Sequence, residues 1–294
     1  MRAFLSRQRR RLTWTLRPQR VITVTGFDER RQRWVAVETS PSVERDDVTF
    51  ATFNVWFGDY HATARYQAIA DLLEMHTPDV IALQEMTPVA LEVFLAQPWI
   101  RLHYVRVAAT GEDFGRYGLV ILSRLPVSHA VYTHLPRSVG RGLLQANLTI
   151  NGRTLTICSL HLASGKTASE LRARQLATVL RTVDTAENAV LLGDFNLRTA
   201  EALTLPASLR DAWLTLHPSD EGFTEDTSIN LMLSDKKNKR RQERFDRVLV
   251  KGDRWAPAHI QLLGTGPISP TLPRVFPSDH FGLLCRLEHV AGTD

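Results

Sequence analysis

Short apolar runs recur along this chain, and most of them end on or open from an acid, an amide or a histidine, a placement that leaves few folds open. The run TFATFN ends on Asn54, VIALQE on Glu85, LTICSLH on His161 and AVLLGD on Asp194, while Asp246 opens DRVLV and Asp279-His280 precede FGLLC. Runs of this length bounded by polar residues predict buried strands. Between them lie stretches with helical spacing. Segment 62–76 sets Tyr66, Ile69, Leu72 and Leu73 on one face, and segment 168–185 does so with Leu176, Val179, Leu180 and Val183. Strands alternating with helices predict an α/β fold. No apolar run approaches the roughly 20 residues a membrane helix needs, so no membrane span is expected.

Further strands are expected at 103–108, 117–123, 142–150, 154–160, 258–263 and 282–288. Asn151-Gly152 between two of them predicts a tight antiparallel hairpin. Thr87-Pro88 opens another helix to about Ala96, with proline at a first-turn position. Val21–Val24 and Trp34–Val37 read as a small hairpin inside an N-terminal extension, residues 1–46. The remainder, 47–294, is long enough for one catalytic domain with a single large core. Cys158 and Cys285 sit in apolar runs and read as small core residues rather than as a disulfide framework.

Charge adds a partner class. The net charge of +5 is unevenly distributed: Arg2, Arg7, Arg9, Arg10, Arg11, Arg17 and Arg20 crowd an acid-free start, and 236–244 reads KKNKRRQER. Both clusters suit phosphate neutralisation, the sequence-independent part of nucleic-acid binding. A solvated loop and an unstructured arm are the plainer reading. The arginine-rich start also resembles an organelle transit peptide, although it lacks the amphipathic pattern.

Strand ends are where active sites on sheets collect. A single Asp or Asn after a strand is usually a turn or helix cap. Here carboxylates, amides and histidines follow one another at successive strand ends. Together they supply hard oxygen ligands for a magnesium-type cation and imidazoles that can donate to a phosphate.

The ordered runs FNVW, LQEM, SLHLAS, LLGDFNL, RFDRVLV and FPSDHFGLL resemble those of the endonuclease/exonuclease/phosphatase superfamily, from Asn54 to about Leu287. Within it the chain is most similar to the tyrosyl-DNA phosphodiesterase 2 branch, through FTEDTSIN, the basic stretch with RFDRV, and FPSDHFGLLC. The resemblance implies a four-layer α/β/β/α sandwich of two packed mixed sheets, the DNase I-like fold. It implies an intracellular, monomeric hydrolase that cleaves phosphodiesters with magnesium or manganese. Its partner would be DNA carrying a 5′ phosphotyrosyl adduct, in the cytoplasm, nucleoid or nucleus.

The same resemblance lends roles to residues. Glu85 and Asp279 would hold the metal, with Asn54 in or beside its shell. Asp194 would orient and deprotonate the attacking water, which Asn196 would help to place. His280 would donate to a non-bridging phosphate oxygen, held in its tautomer by Asp246. His161 and Ser164 would bind further phosphate oxygens, and Arg141 and Ser278 would contact substrate. The chain departs from the branch in two places: Ala163 stands where relatives carry an acid, and Glu225 where they carry an aromatic. An acid beside a polyanionic strand is unfavourable, and the lost platform is worth roughly 1–3 kcal/mol per stacked base; Phe223 is the expected substitute. A related nuclease or phosphatase acting on RNA, a nucleotide or a phospholipid head group is the second reading. A non-catalytic nucleic-acid-binding module is the third.

Overall fold

A computed structural model describes residues 19–38, 42–111, 114–136, 140–237 and 240–290. The arginines of the first eighteen residues, and Asn238 and Lys239 of the basic stretch, lie outside the described residues.

Two mixed sheets form the centre. The eight-stranded sheet runs β16 (Trp255–Leu263), β17 (Gly282–His289), β4 (Asp47–Asn54), β5 (Val80–Met86), β7 (Gly118–Ser123), β6 (Val105–Ala109), β2 (Thr25–Asp28) and β3 (Arg33–Ala36). The seven-stranded sheet runs β1 (Gln19–Val21), β8 (Val127–His134), β9 (Gly142–Ile150), β10 (Arg153–His161), β11 (Asn188–Asp194), β15 (Asp246–Lys251) and β12 (Leu209–Asp211). A separate ribbon pairs β13 (Glu225–Asp226) with β14 (Gln242–Glu243). Among the described residues, no helix is long and apolar enough to cross a membrane.

Period-2 alternation within each strand explains the layering. In β4, Val48 and Phe50 enter the core between the sheets, whereas Ala51 and Phe53 pack under the helices Ala62–His76 and Pro88–Ala96 with Tyr66, Ile69 and Phe94. In β11, Val190 and Leu192 face the other sheet, whereas Ala189 and Leu191 meet Leu176 and Val179 of the helix Ser169–Val183. Both faces of the central strands are therefore buried, which is why their sequences read as nearly continuous apolar runs. The result is the expected α/β/β/α sandwich.

The hairpin expected near the N-terminus pairs Thr25–Asp28 with Arg33–Ala36, so its first strand begins later than the run Val21–Val24 suggested. Ile22 and Val24 instead enter the core between the sheets, as the chain passes from β1, hydrogen-bonded to β8, to β2, hydrogen-bonded to β6. The sequence pattern does not announce strand β8, because SHA at 128–130 interrupts its apolar alternation where the ladder itself has a register shift. The Asn151-Gly152 turn is present, with both residues at positive φ.

Candidate active site

The same alternation that builds the core delivers the polar residues. Continuing the inward positions of each strand by two or four gives Asn54 in β4, Gln84 in β5, Ser159 and His161 in β10, Asp194 in β11 and Asp246 at the start of β15. Register aligns them: His161 lies beside Asp194, and Asp194 beside Asp246. Just beneath the rim, Gln84 Nε2 donates to Thr52 Oγ1 at 3.1 Å and Ser159 Oγ at 3.3 Å, joining the two sheets through a polar layer.

Glu85 breaks the alternation. By parity its side chain belongs on the helix side, but a register shift lies between Leu83 and Met86, and Glu85 has φ 57°. This bulge turns the carboxylate toward the rim, where Oε2 accepts the Phe57 amide at 3.1 Å. At the end of β11, Gly193 has φ 132°, and a Cβ there would stand 2.2 Å from the Leu160 carbonyl oxygen. Only glycine lets β10 and β11 close at the point where Asp194 emerges.

Asp194 is the best-connected group. Its Oδ2 accepts Asn54 Nδ2 at 3.1 Å and lies 3.1 Å from His161 Nε2, while Oδ1 accepts the Asn196 amide at 2.9 Å. Burial raises its carboxyl to about 7, opposed by the charge of His280. Burial, with Arg141 and His280 nearby, holds His161 well below the usual imidazole range, so it is neutral. His280 behaves oppositely. Burial alone would lower it, but Asp246 Oδ2 at 2.7 Å from Nδ1, with Asp194 and Glu225 near, raises it well above the usual range. Its Nε2 lies 3.3 Å from Glu225 Oε1.

These groups open on a cleft of about 760 Å³ whose walls include Trp56, Glu85, Lys236, Arg241, Asp279 and His280. The donor chemistry fits a hard divalent cation. Glu85 and Asp279 share the cleft wall. Burial raises the Glu85 carboxyl, and the Asp279 charge raises it further; a shared cation relieves such repulsion. Asp279 already attracts one positive charge, with Lys236 Nζ 2.6 Å from Oδ2. Asp194, Asp246 and His280 form a second buried cluster, with ligand atoms within 4.8 Å of one another. The short His280–Asp246 hydrogen bond makes that trio a proton-holding set, and Glu85 with Asp279 the more open pair.

Two residues expected at the substrate lie away from it. Ser278 is fully buried, donating Oγ to the Asn54 carbonyl at 2.6 Å and accepting the His280 amide, so it shapes the loop rather than meeting substrate. Phe223 does not replace a stacking platform. It lines a different cavity with Leu209, Leu214 and Arg244, because the chain bends at Thr224 before the strand Glu225–Asp226 begins, so Phe223 does not share the face of Glu225. Glu225 is no loose acid: it is buried and ion-paired with Arg241. Ser164 lines the cleft and accepts from Arg141 Nη2 at 3.2 Å, and the Arg141 guanidinium lies over the Tyr117 ring.

Sequence reasoning also missed residues. Thr224 Oγ1 accepts the amides of Phe245 and Asp246, and its carbonyl accepts the Phe281 amide, so one buried threonine sets Asp246 against His280. The Phe57 ring stacks on Tyr117 at 4.9 Å beside the site. Arg65 is wholly buried and donates to the carbonyls of Val55, Trp56, Gly58, Tyr60 and Pro277, tying the loop after Asn54 to the loop before Asp279. The run DYHATARY carries no signal of this beyond an arginine at an inward helical position.

The sequence model of the endonuclease/exonuclease/phosphatase family matches residues 51–280, which contain every site group from Asn54 to His280. The chain belongs to that family. It is 30% identical over 267 residues to tyrosyl-DNA phosphodiesterase 2 of Xenopus laevis, covering 85% of this chain and 70% of the relative. The human tyrosyl-DNA phosphodiesterase 2 is 25% identical over 289 residues, covering 92% of this chain and 77% of the relative. Among solved structures, Danio rerio TDP2 complexed with a single-strand DNA product superposes with a TM-score of 0.73 at 26% identity, covering 83% of this chain and all of that one. A family member from Bacteroides thetaiotaomicron, at 17% identity and a TM-score of 0.63, shares the fold.

Proposed function

We propose that this chain is a magnesium-dependent phosphodiesterase that removes 5′ phosphotyrosyl adducts from DNA ends. The observation that carries the reading is the Asn54–Asp194–His161 cluster facing Asp246–His280 across one cleft, in a chain whose curated relatives are tyrosyl-DNA phosphodiesterases.

In this mechanism Asp194 accepts a proton from water, which then attacks phosphorus. The Asn54 amide and the Asn196 backbone amide, both donating to the carboxylate, keep Asp194 in one orientation. His280 donates from Nε2 to a non-bridging oxygen as charge grows there, while Asp246 holds the other ring nitrogen. His161, neutral and with its one N–H at Nε2 directed to Asp194 Oδ2, fixes that carboxylate for the proton transfer. The bond from phosphorus to the tyrosyl oxygen breaks, leaving a 5′ phosphate on the strand. Glu85 and Asp279 would hold the magnesium ion, for which manganese is chemically equivalent; when bound, it supplies Lewis-acid polarisation of the phosphoryl group and neutralises the leaving oxygen. Ser164 and Arg141 sit at the cleft edge in reach of a substrate oxygen, and Lys236, Lys237, Arg240 and Arg241 line the approach for a polyanionic strand.

The test is a panel: a 5′-phosphotyrosyl oligonucleotide, an abasic duplex, an RNA oligonucleotide and a phosphoinositide, each with and without magnesium. Magnesium-dependent release of tyrosine from the first is the expected result. Turnover confined to RNA or to the lipid would replace the DNA reading with another member of the same family chemistry.

A further inference from the structure

Glu225 occupies the place a substrate oxygen needs. His280 presents two nitrogens, and Nδ1 is engaged by Asp246, so Nε2 is the one that can meet a phosphoryl group. Glu225 Oε1 lies 3.3 Å from that nitrogen, its other oxygen is paired with Arg241, and the residue is buried in the wall of the same cleft. The carboxylate is not a wandering surface group. Its main chain pairs with Glu243, and the preceding Thr224 carbonyl accepts the Phe281 amide at 2.7 Å, so residue 225 is tied directly to the His280 loop.

A charge fixed beside a phosphate site discriminates by ligand charge, since repulsion scales with the charge repelled. A phosphodiester carries one negative charge there, whereas a terminal phosphate near neutral pH carries close to two. We propose that Glu225 is a specificity-determining residue: it weakens the hold of His280 and Arg241 on a phosphomonoester more than on a phosphodiester, and so hastens release of the 5′-phosphate product. Arg241 completes the device, because it is the cation that Glu225 keeps from the product. This inference rests on the phosphodiesterase reading.

The experiment measures binding of 5′-phosphate and 5′-hydroxyl forms of one oligonucleotide by fluorescence anisotropy, using the full chain, Glu225→Gln and Glu225→Asp. Glu225→Gln is expected to tighten the 5′-phosphate strand about tenfold while the 5′-hydroxyl strand stays within about twofold. Glu225→Asp keeps the charge and should stay within about twofold of the parent for both, whereas a merely structural role disturbs Asp and Gln variants alike. In turnover assays the inhibition constant for product should fall more than KM does in Glu225→Gln. Equal tightening of both strands, or none, overturns the proposal. Turnover of the phosphotyrosyl substrate with unchanged anisotropy sinks the Glu225 assignment alone; a clear anisotropy difference with no turnover of any phosphodiester sinks the phosphodiesterase reading alone.

Discussion

At the scale of single residues, the chemistry depends on buried groups whose neighbours decide their charge. Asp194 and Asp246 are adjacent across two strands, yet one faces a neutral imidazole and two amide donors while the other faces a cationic ring. In the proposed mechanism that division separates a proton acceptor from an orienting partner, the pattern expected when one fold runs acid and base steps in one cleft. Replacing Asp194 by asparagine keeps size and removes the acceptor. Turnover of the phosphotyrosyl substrate should fall by at least about a hundredfold, with the thermal midpoint little changed. Near-normal turnover in that variant would show that another group takes the proton.

At the scale of elements, the loops around the site are held by a donor from the helix Ala62–His76. Arg65 projects from the helix Ala62–His76 into a ring of five carbonyl oxygens, with the Trp56 ring centroid 4.4 Å from its guanidinium carbon. Arg65→Met strands those carbonyls. It should cost at least about 3 kcal/mol of unfolding free energy in urea titration, and Arg65→Lys, with fewer donors, should fall between. A loss under about 1 kcal/mol would mean that water satisfies the loop. The helix Leu231–Lys237 and the ribbon of β13 and β14 make another wall of the cleft, and there the basic residues matter through charge. Neutralising Lys236, Lys237, Arg240 and Arg241 together should flatten the dependence of DNA affinity on salt, by up to about 0.7 in the logarithmic slope for every single-strand phosphate that no longer meets a cation. An unchanged slope would place the strand elsewhere.

For the molecule as a whole, two cysteines report on two layers. Cys285 lies in the core between the sheets and Cys158 between the seven-stranded sheet and its helix. Burial pushes both thiols up to about 12, so neither is a thiolate near neutral pH. Both should resist alkylation in the native protein at pH 8 and become labelled in a single denaturant transition if the layers unfold together. Labelling of Cys158 at lower denaturant would reveal a less stable outer layer.

Much of this was legible in the chain itself. Alternation with period 2, carried two or four residues past the last inward apolar side chain, places Asn54, His161, Asp194 and Asp246 on one face and at one rim, and apolar runs without polar interruption already required both faces of the central strands to be covered. Helix Ala62–His76 was readable to its ends because its periodicity is local. What the sequence could not determine is whatever depends on closure between distant segments. The inward turn of Glu85 needs a bulge, the roles of Ser278 and Phe223 depend on which atoms the loops leave for them, and Arg65 and Thr224 act by joining separate segments, Arg65 the loop after Asn54 to Pro277 and Thr224 the start of β15 to Phe281. Glu225 is the sharpest case: by its residue type an acid set against a polyanion, it becomes a paired and positioned group only when 225 and 241 meet at the ribbon beside His280, because the sign and strength of a charge's effect depend on the neighbours and dielectric that tertiary packing alone supplies.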